Sequence, residues 1–277
     1  MIVKANAKIN LGLYITGLNK DNYHLLDATM IPISLYDEID IIVNNKNEDE
    51  VIFDKIGIPK NNTITKAINL LRERYKFNQY FDIKVKKNIP DGAGLGGGSS
   101  DAAFVMKSIK EILNLKVDEK EFMDIALKVG ADVPFFLVNK PCRMQGIGEK
   151  LTPFNINGKY LFLLIKPIDG VSTIEAYKKY DELIIKHKNN VEEIINALEK
   201  NKELINIKNE LFEVAKVINT QIIKLEKEVL EFSPKVLTMS GSGSTLVVYD
   251  EIDKLQTIKN KLEKNKEIEY IDIVSTI

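Results

Sequence analysis

Residues 90–103 of the chain read PDGAGLGGGSSDAA, and no other stretch of the sequence says more about the architecture. Five glycines occupy the seven positions 92–98, so the backbone can adopt positive φ angles and approach a ligand without interference from Cβ atoms. Ser99 then opens a predicted helix that extends to about Leu113. The free N–H groups at such a helix start attract anions. The stretch therefore predicts a cradle for a polyphosphate.

Other interpretations of the glycine-rich stretch are disfavoured. Gly92, Gly94 and Gly97 satisfy G-x-G-x-x-G, but a dinucleotide fold needs an apolar parallel strand that runs straight into the glycines. The preceding strand alternates in polarity and stops at Asn88-Ile89-Pro90. A P-loop needs a lysine after the last glycine, and Gly98 stands there instead. A flexible surface loop rarely lies between a predicted strand and a well-formed helix.

The hydrophobic pattern around this stretch mixes strands and helices without steady βαβ alternation, which favours an α+β fold. Thr63 is placed to cap the first helix. Within residues 130–136, the acid Asp132 precedes a predicted apolar turn. We expect a first domain over residues 1–155 and a second over 156–277. Predicted strands cover 9–16, 39–43, 51–53, 81–85, 160–166, 236–237, 245–249 and 268–274. Predicted helices cover 63–75, 99–113, 118–129 and 251–264, with mostly helical structure over 170–232 apart from breaks near 189–190 and 206.

Composition limits the class of protein. The 277 residues include 39 Lys+Arg and 40 Asp+Glu, a formal net charge of −1, so a basic footprint for nucleic acid is not expected. The one cysteine, Cys142, excludes an internal disulfide framework and a multi-cysteine zinc site, and we interpret it as a buried small hydrophobe. The first residues lack an apolar signal core, and no run approaches the ~20 apolar residues of a membrane span. We expect a cytoplasmic protein with neither nucleic acid nor membrane as a partner.

Further motifs are spread along the chain. They are AKINLGLYITG at 7–17, Tyr23-His24, GADVPFFL at 130–137, GIGE at 146–149 and MSGSGST at 239–245. With the glycine-rich stretch, they resemble the GHMP kinases, the superfamily of galactokinase, homoserine kinase and mevalonate kinase. The resemblance extends over nearly the whole chain and is closest to members that phosphorylate a cytidylylated sugar alcohol in non-mevalonate isoprenoid synthesis.

The resemblance implies a fold and a set of site residues. The fold is an N-terminal domain like ribosomal protein S5 domain 2 and a C-terminal ferredoxin-like domain, with the active site in the cleft between them. Lys8 and Asp132 would be catalytic, and Asn10 would orient the substrate. The ATP phosphates would be wrapped by Pro90, Gly92, Ala93, Gly94, Leu95, Gly96, Gly97, Gly98, Ser99 and Ser100. Tyr23, His24 and Tyr177 would form the cytosine pocket, and Asn62, Lys87 and Asp101 would lie toward the nucleoside end of ATP.

The resemblance also implies the chemistry. ATP would be the phosphate donor, and Mg²⁺ would share the phosphate charge without an assigned protein ligand. A carboxylate is too weak a base to deprotonate an alcohol beforehand, but phosphoryl transfer has a loose transition state, so the proton can leave late. Asp132 would therefore orient the attacking hydroxyl and accept its proton late, while Lys8 polarises both groups.

Other functions stay open from the sequence. One is a GHMP kinase for another small alcohol, such as homoserine or mevalonate, and another is a nucleotide-binding module without catalysis. The presence of both Lys8 and Asp132 argues against a module without catalysis, and the Tyr23-His24 pair favours a cytidyl substrate. We expect a monomer or a weak homodimer.

Several positions need separate predictions. Asn22 replaces a glycine common before Tyr-His and should adopt the same positive φ. Asp91 is an acid beside the phosphate loop and should face solvent, because an inward carboxylate would repel phosphate. Tyr180 could replace Tyr177 as the aromatic residue of the cytosine pocket, and Asp132 could instead cap the turn that follows it.

Overall fold

The structure is a computed structural model that describes residues 1–55, 57–183, 185 and 187–277. Its strands are β1 (Ile2–Leu18), β2 (His24–Asn44), β3 (Glu50–Phe53), β4 (Tyr80–Lys86), β5 (Cys142–Gly146), β6 (Lys150–Pro153), β7 (Leu161–Pro167), β8 (Val236–Met239), β9 (Leu246–Tyr249) and β10 (Ile268–Ser275). Its helices are α1 (Thr63–Tyr75), α2 (Gly97–Ile112), α3 (Glu119–Val129), α4 (Val133–Val138), α5 (Thr173–Tyr180), α6 (Val191–Glu199), α7 (Glu210–Ile218), α8 (Thr220–Leu230) and α9 (Ile252–Leu262).

The chain forms two compact units that are discontinuous in sequence. The first comprises Met1–Ala7, Leu35–Ile89 and Gly96–Asn139, and the second comprises Lys8–Ser34, Pro90–Leu95 and Lys140–Ile277. The predicted boundary near residue 155 lies inside the second unit and stays a prediction about family domains. The glycine-rich stretch passes from the second unit to the first at Leu95-Gly96.

In the first unit, a small sheet accompanies four helices. The C-terminal half of β2 pairs antiparallel with β4, with Ile41 opposite Ile83, and β4 pairs in parallel with β3. Helices α1 and α4 both pack on α2, and α3 contacts all three. The alternating inward residues of β4 and the apolar faces of the helices are buried together in this core.

Helix α1 shows how local sequence sets an element. Its apolar residues recur at helical spacing and are buried: Ile64, Ala67, Ile68 and Leu71. Its range agrees with the prediction, but its cap does not. The Oδ1 of Asn62 accepts hydrogen bonds from the N–H groups of Ile64 and Thr65. The Thr63 hydroxyl instead donates to the carbonyl of Gly98 at 2.7 Å, so the prediction that Thr63 caps the helix is wrong.

In the second unit, a four-stranded antiparallel sheet has the order β10-β7-β9-β8. Strand β7 is buried from Phe162 to Pro167, because it is central and both of its faces are covered. Helices α8 and α9 both contact β7. The N-terminal half of β2 pairs with β5, and β5 pairs with β6.

The structure confirms the predicted α+β class and most of the predicted elements. Two differences bear on the site. Helix α2 begins at Gly97 rather than Ser99, and the expected apolar turn after Asp132 is the short helix α4. No helix in the described residues combines the length and apolar character that a bilayer crossing needs.

Candidate functional site

The first half of the glycine-rich stretch is fastened to a serine-glycine loop at 240–245, within the second unit. Gly94 has φ +72°, and a Cβ at this position would lie 2.2 Å from the carbonyl oxygen of Ser240. The Ser240 hydroxyl donates to the Gly94 carbonyl at 2.9 Å, and the Thr245 amide donates to the Ala93 carbonyl at 3.3 Å. Only a glycine at position 94 permits this approach of two backbones.

Lys8 and Asn10 lie beside these two loops. Both side chains are buried, and Lys8 Nζ donates to Asn10 Oδ1 at 2.7 Å. Asn10 Nδ2 donates to the Thr29 carbonyl at 3.2 Å, which fixes the amide orientation. The Lys8 amide donates to the Leu95 carbonyl at 3.0 Å, and a Cβ on Gly241 would lie 3.4 Å from Lys8 Nζ. The structure thus brings Lys8, Asn10 and the segment Pro90–Leu95 together.

Asn209 is a supporting residue that the sequence analysis missed. Its Nδ2 donates to the carbonyls of Met239 at 2.7 Å and Gly241 at 2.8 Å, and its Oδ1 accepts from the Leu211 amide. It therefore caps α7 and holds the serine-glycine loop at the same time. An asparagine before a helix signals the cap, but no local pattern signals a partner 30 residues away.

The second half of the glycine-rich stretch opens α2 in the first unit. Gly96 is the N-cap residue of α2, and it has no side chain that could cap the helix. The backbone N–H groups of the first turn can therefore donate hydrogen bonds to an anion. The Ser100 hydroxyl is buried and donates to the Asn6 carbonyl at 2.6 Å. Ser99 Oγ lies 3.7 Å from the position that a Cβ on Gly130 would take. The start of α2 is thus adjacent to the turn that carries Asp132.

Asp132 occupies the N-cap position of α4, but its side chain makes no capping hydrogen bond. The turn before it is closed by the Val133 amide, which donates to the Gly130 carbonyl at 3.1 Å. The alternative role of this acid as a turn cap is therefore wrong. Helix α4 holds the half-buried carboxylate at a helix N-terminus, where negative charge is stabilised.

Lys87 and Asp101, which were expected toward the nucleoside end of ATP, are buried in an ion cluster with Asp37. Lys87 Nζ lies 2.5 Å from Asp37 Oδ2 and 2.7 Å from Asp101 Oδ2, and the three side chains are at most 2% exposed. Burial raises the pKa of Asp101 to about 7, with Lys87 opposing the rise and Asp37 adding to it. The three side chains are thus engaged with one another, and the place of Lys87 and Asp101 toward the nucleoside end of ATP stays a prediction.

Asn62, the third residue expected near the nucleoside, has its side chain engaged in the α1 cap. Besides the cap bonds, its Nδ2 donates to the carbonyls of Pro59 and Lys60 at 3.1 and 3.2 Å. It nevertheless borders a cavity of about 570 Å³ at the start of α1. That cavity is lined by Asn61, Asn62, Thr63, Thr65, Lys66, Asn69, Leu70 and Val129.

The three predicted cytosine-pocket residues line one cavity of about 450 Å³ in the second unit. The rings of His24 and Tyr177 stack with centroids 4.9 Å apart, and His24 Nε2 lies 2.8 Å from Asp181 Oδ1. Tyr23 is 62% exposed. Tyr180 contacts His24 edge-on, and its hydroxyl donates to Glu210 at 3.0 Å. Tyr180 does not line the cavity, which favours Tyr177 for the pocket.

Three predictions about single residues can be compared with the structure. Asn22 has φ +61°, as expected for the residue that replaces glycine. Asp91 is exposed, which confirms that it faces solvent. Cys142 is fully buried, and burial raises the pKa of its thiol to about 11. The described residues hold no cluster of three or more His, Cys, Asp or Glu side chains that could bind a metal ion.

Comparison with known proteins agrees with the geometry. A family model for the GHMP kinases N terminal domain matches residues 62–140. A Clostridium kluyveri protein named 4-diphosphocytidyl-2-C-methyl-D-erythritol kinase is 37% identical over 275 residues, which cover 97% of this chain and 98% of that protein. A crystal structure of 4-(cytidine 5'-diphospho)-2C-methyl-D-erythritol kinase matches with a TM-score of 0.83 at 27% identity, covering 99% of each chain. A homoserine kinase from Cytophaga hutchinsonii, at 16% identity and a TM-score of 0.70 over 98% of this chain and 94% of that one, shows the common fold alone.

Proposed function

Because the chain belongs to the 4-diphosphocytidyl-2-C-methyl-D-erythritol kinases of the GHMP superfamily, we propose that it transfers the γ-phosphoryl group of ATP to the 2-hydroxyl of 4-diphosphocytidyl-2-C-methyl-D-erythritol. This reaction belongs to non-mevalonate isoprenoid precursor synthesis. The observation that carries the proposal is a sequence identity of 37% to the Clostridium kluyveri kinase over almost the full length of both chains. The buried Lys8–Asn10 pair and the aromatic cavity support it.

The glycine-rich stretch supports ATP as the donor. Backbone amides at the start of α2 can bind phosphate oxygens, and the absence of a side-chain cap on Gly96 leaves them for that purpose. The described residues lack a three-member metal-binding cluster, which suits Mg²⁺ because this ion is bound largely by phosphate oxygens and water. When bound, Mg²⁺ offsets the charge that develops on the phosphates.

Asp132 and Lys8 have the chemistry that the transfer requires. The Asp132 carboxylate would orient the attacking hydroxyl and accept its proton as the new P–O bond forms. The leaving ADP oxygen takes the electron pair of the bond that breaks. The Lys8 ammonium would stabilise negative charge on the nucleophile, and its bond to Asn10 restricts its position. Positioning and electrostatics account for the rate without a strong base.

The aromatic cavity supports a cytidyl substrate over smaller alcohols. The exposed ring of Tyr23 offers a stacking face for a base, and stacking of this kind is worth about 1–3 kcal/mol per base. His24 is held by Asp181 through Nε2, which leaves Nδ1 for the edge of the base. Tyr177 would contact the base with the part of its ring that His24 does not cover. A cytoplasmic location and a monomeric or weakly dimeric state stay predictions.

The test is ADP release with a panel of acceptor alcohols, with and without Mg²⁺. We expect turnover of 4-diphosphocytidyl-2-C-methyl-D-erythritol that requires Mg²⁺, and phosphate at the 2-position of the product by NMR. Turnover of homoserine or mevalonate instead would assign a different substrate. ATP binding without turnover of any acceptor would indicate a nucleotide-binding module.

A further inference from the structure

The Asp37–Lys87–Asp101 cluster, called the triad below, contains two carboxylates and one ammonium. All three side chains are at most 2% exposed. When every member is ionised, the triad carries one uncompensated negative charge in a buried site. Such a charge is costly, and two carboxylates that share one site rarely both stay ionised. The geometry therefore favours one bound proton.

The hydrogen bonds indicate which carboxylate takes that proton. Asp37 Oδ1 accepts from the amides of Asn88 and Ile89 at 2.6 and 2.8 Å, while its Oδ2 accepts from Lys87. Both carboxylate oxygens of Asp37 therefore have hydrogen-bond donors. Asp101 accepts from Lys87 through Oδ2 alone, and its Oδ1 is buried without a hydrogen-bond partner in the described chain. Asp101 is therefore the group that binds the proton, in agreement with its raised pKa.

The elements that pack on α2 bury apolar faces, and the Asp54 carboxylate lies beside the triad, where its Oδ1 accepts from the Lys87 amide at 2.9 Å. The face that α1 buries consists of Ile64, Ala67, Ile68 and Leu71. The face that α3 buries is likewise apolar, and α4 has the sequence VPFFLV. Asp37 on β2 and Lys87 after β4 are the charged groups that shift the Asp101 titration within the described residues.

The triad lies directly beneath the first turn of α2. Lys87 Nζ is 3.3 Å from the position that a Cβ on Gly97 would take, and Asp101 is one helical turn after Gly97. A polyphosphate at the start of α2 would therefore lie within about 10 Å of the Asp101 carboxyl. Charges at such a distance inside a protein interact strongly enough to move a pKa by a unit or more.

We propose that Asp101 binds a proton when a polyphosphate occupies the start of α2, so that nucleotide binding is proton-linked. The inference deepens the proposed function and rests on ATP binding at this site. The bound anion favours the neutral Asp101 carboxyl. The affinity for nucleotide is therefore highest below the pKa of Asp101 in the free protein, where this carboxyl is already protonated. Affinity falls as pH rises above it, by up to about tenfold per pH unit until the pKa of the complex is reached.

Calorimetric titration with a non-hydrolysable ATP analogue and Mg²⁺ tests the linkage. At pH 8, the phosphates are already ionised, and measurements in buffers of different ionisation enthalpy give the number of protons taken up. We expect about half a proton or more per nucleotide in the wild-type protein. Asp101→Asn should abolish this uptake and remove the corresponding rise of Kd between about pH 7 and pH 9. Asp91→Asn, which removes an exposed acid beside the same loop, should leave both unchanged.

A second measurement does not depend on a variant. Infrared difference spectra of the wild-type protein at pH 8 should show a protonated carboxyl band appear when the analogue binds. Equal proton uptake in wild type and Asp101→Asn, or no new carboxyl band, would overturn the inference while nucleotide binding stands. Failure of the analogue to bind at any pH would overturn the proposed function and this inference together.

Discussion

The close approach of Gly94 to the serine-glycine loop predicts that Gly94→Ala damages the protein far more than Gly92→Ala. Both glycines have positive φ, +72° at Gly94 and +58° at Gly92, so alanine is strained at both positions. At Gly92, a Cβ would meet nothing within 4 Å. At Gly94, it would lie 2.2 Å from the Ser240 carbonyl oxygen and 3.0 Å from that of Gly243. The pair separates backbone strain from collision.

The expected magnitudes follow from these contacts. Alanine in the left-handed region costs about 1–2 kcal/mol, which is the full cost expected for Gly92→Ala. At Gly94, the backbone at Ser240 must also move by roughly 1 Å to reach an ordinary contact distance. That shift would break the hydrogen bonds from Ser240 Oγ to Gly94 and from the Asn10 amide to Ser240. At about 1 kcal/mol each, the total reaches about 3–4 kcal/mol.

Thermal unfolding and steady-state kinetics of the two variants measure the difference. For a chain of this size, Gly92→Ala should lower Tm by about 2–8 °C, and Gly94→Ala by about 6–16 °C. Because Asn10 orients Lys8, Gly94→Ala should also lower kcat in the protein that stays folded at low temperature. Equal destabilisation by the two substitutions would refute the predicted clash between a Cβ at position 94 and the Ser240 carbonyl oxygen. It would also refute the close packing of the glycine-rich stretch on the serine-glycine loop.

Three further predictions address the reaction and the pH response. Asp132→Asn should lower kcat by about 10²–10⁴-fold while the Kd for ATP holds, and an unchanged kcat would remove Asp132 from the chemistry. Tyr177→Ala should raise KM for the cytidyl substrate by about 5–150-fold and leave KM for ATP unchanged, whereas a parallel rise in both would indicate a general structural defect. Burial raises the pKa of Asp27, but the stronger combined effect of its bonds from Arg143 and Asn189 leaves that pKa lowered. A lowered folded pKa stabilises the protein above the unfolded value of about 4 and loses that contribution as pH falls through the folded pKa. Asp27→Asn should therefore reduce Tm at pH 7 and make the decrease of Tm on acidification less steep. An unchanged dependence of Tm on pH in the acid range would contradict the role of this ion pair.

Elements with a one-sided pattern were predictable from the sequence, and so was the short apolar run of β7. The part of β2 that is buried on both faces was not. Helix α1 was predicted over its observed range because its apolar residues recur at helical spacing. Strand β2 was predicted only over residues 39–43, although it runs from His24 to Asn44. Its residues 26–33 are buried on both faces, so they lack the alternation that identifies a strand. Helix α4 was missed because six apolar residues are too short a run to show a helical period.

At the site, motifs predicted the chemistry, while long-range partners decided what each side chain contacts. Tyr23, His24 and Tyr177 were grouped by the family resemblance, and they do line one cavity. Lys87 and Asp101 were expected toward the nucleoside end of ATP. In the structure, Lys87 pairs with Asp101 and also with Asp37, which lies 50 residues before Lys87. No local signal marks such a partner, since an isolated aspartate in a strand usually faces solvent.

The glycines of the glycine-rich stretch show that one motif can combine positions with different structural constraints. The sequence gives one reason for all of them, room for a bound polyphosphate. In the structure, Gly92 has open space and needs only its positive φ, whereas Gly94 is fixed by the Ser240 backbone. Gly97 is constrained by Ile89 and by the ammonium of Lys87, 3.1 and 3.3 Å from where its Cβ would lie. Since Gly92 and Gly94 lie in one compact unit and Gly97 lies in the other, each unit shapes its own part of the glycine-rich stretch. The packing around Gly94 and Gly97 therefore constrains the motif independently of the polyphosphate that the sequence predicts.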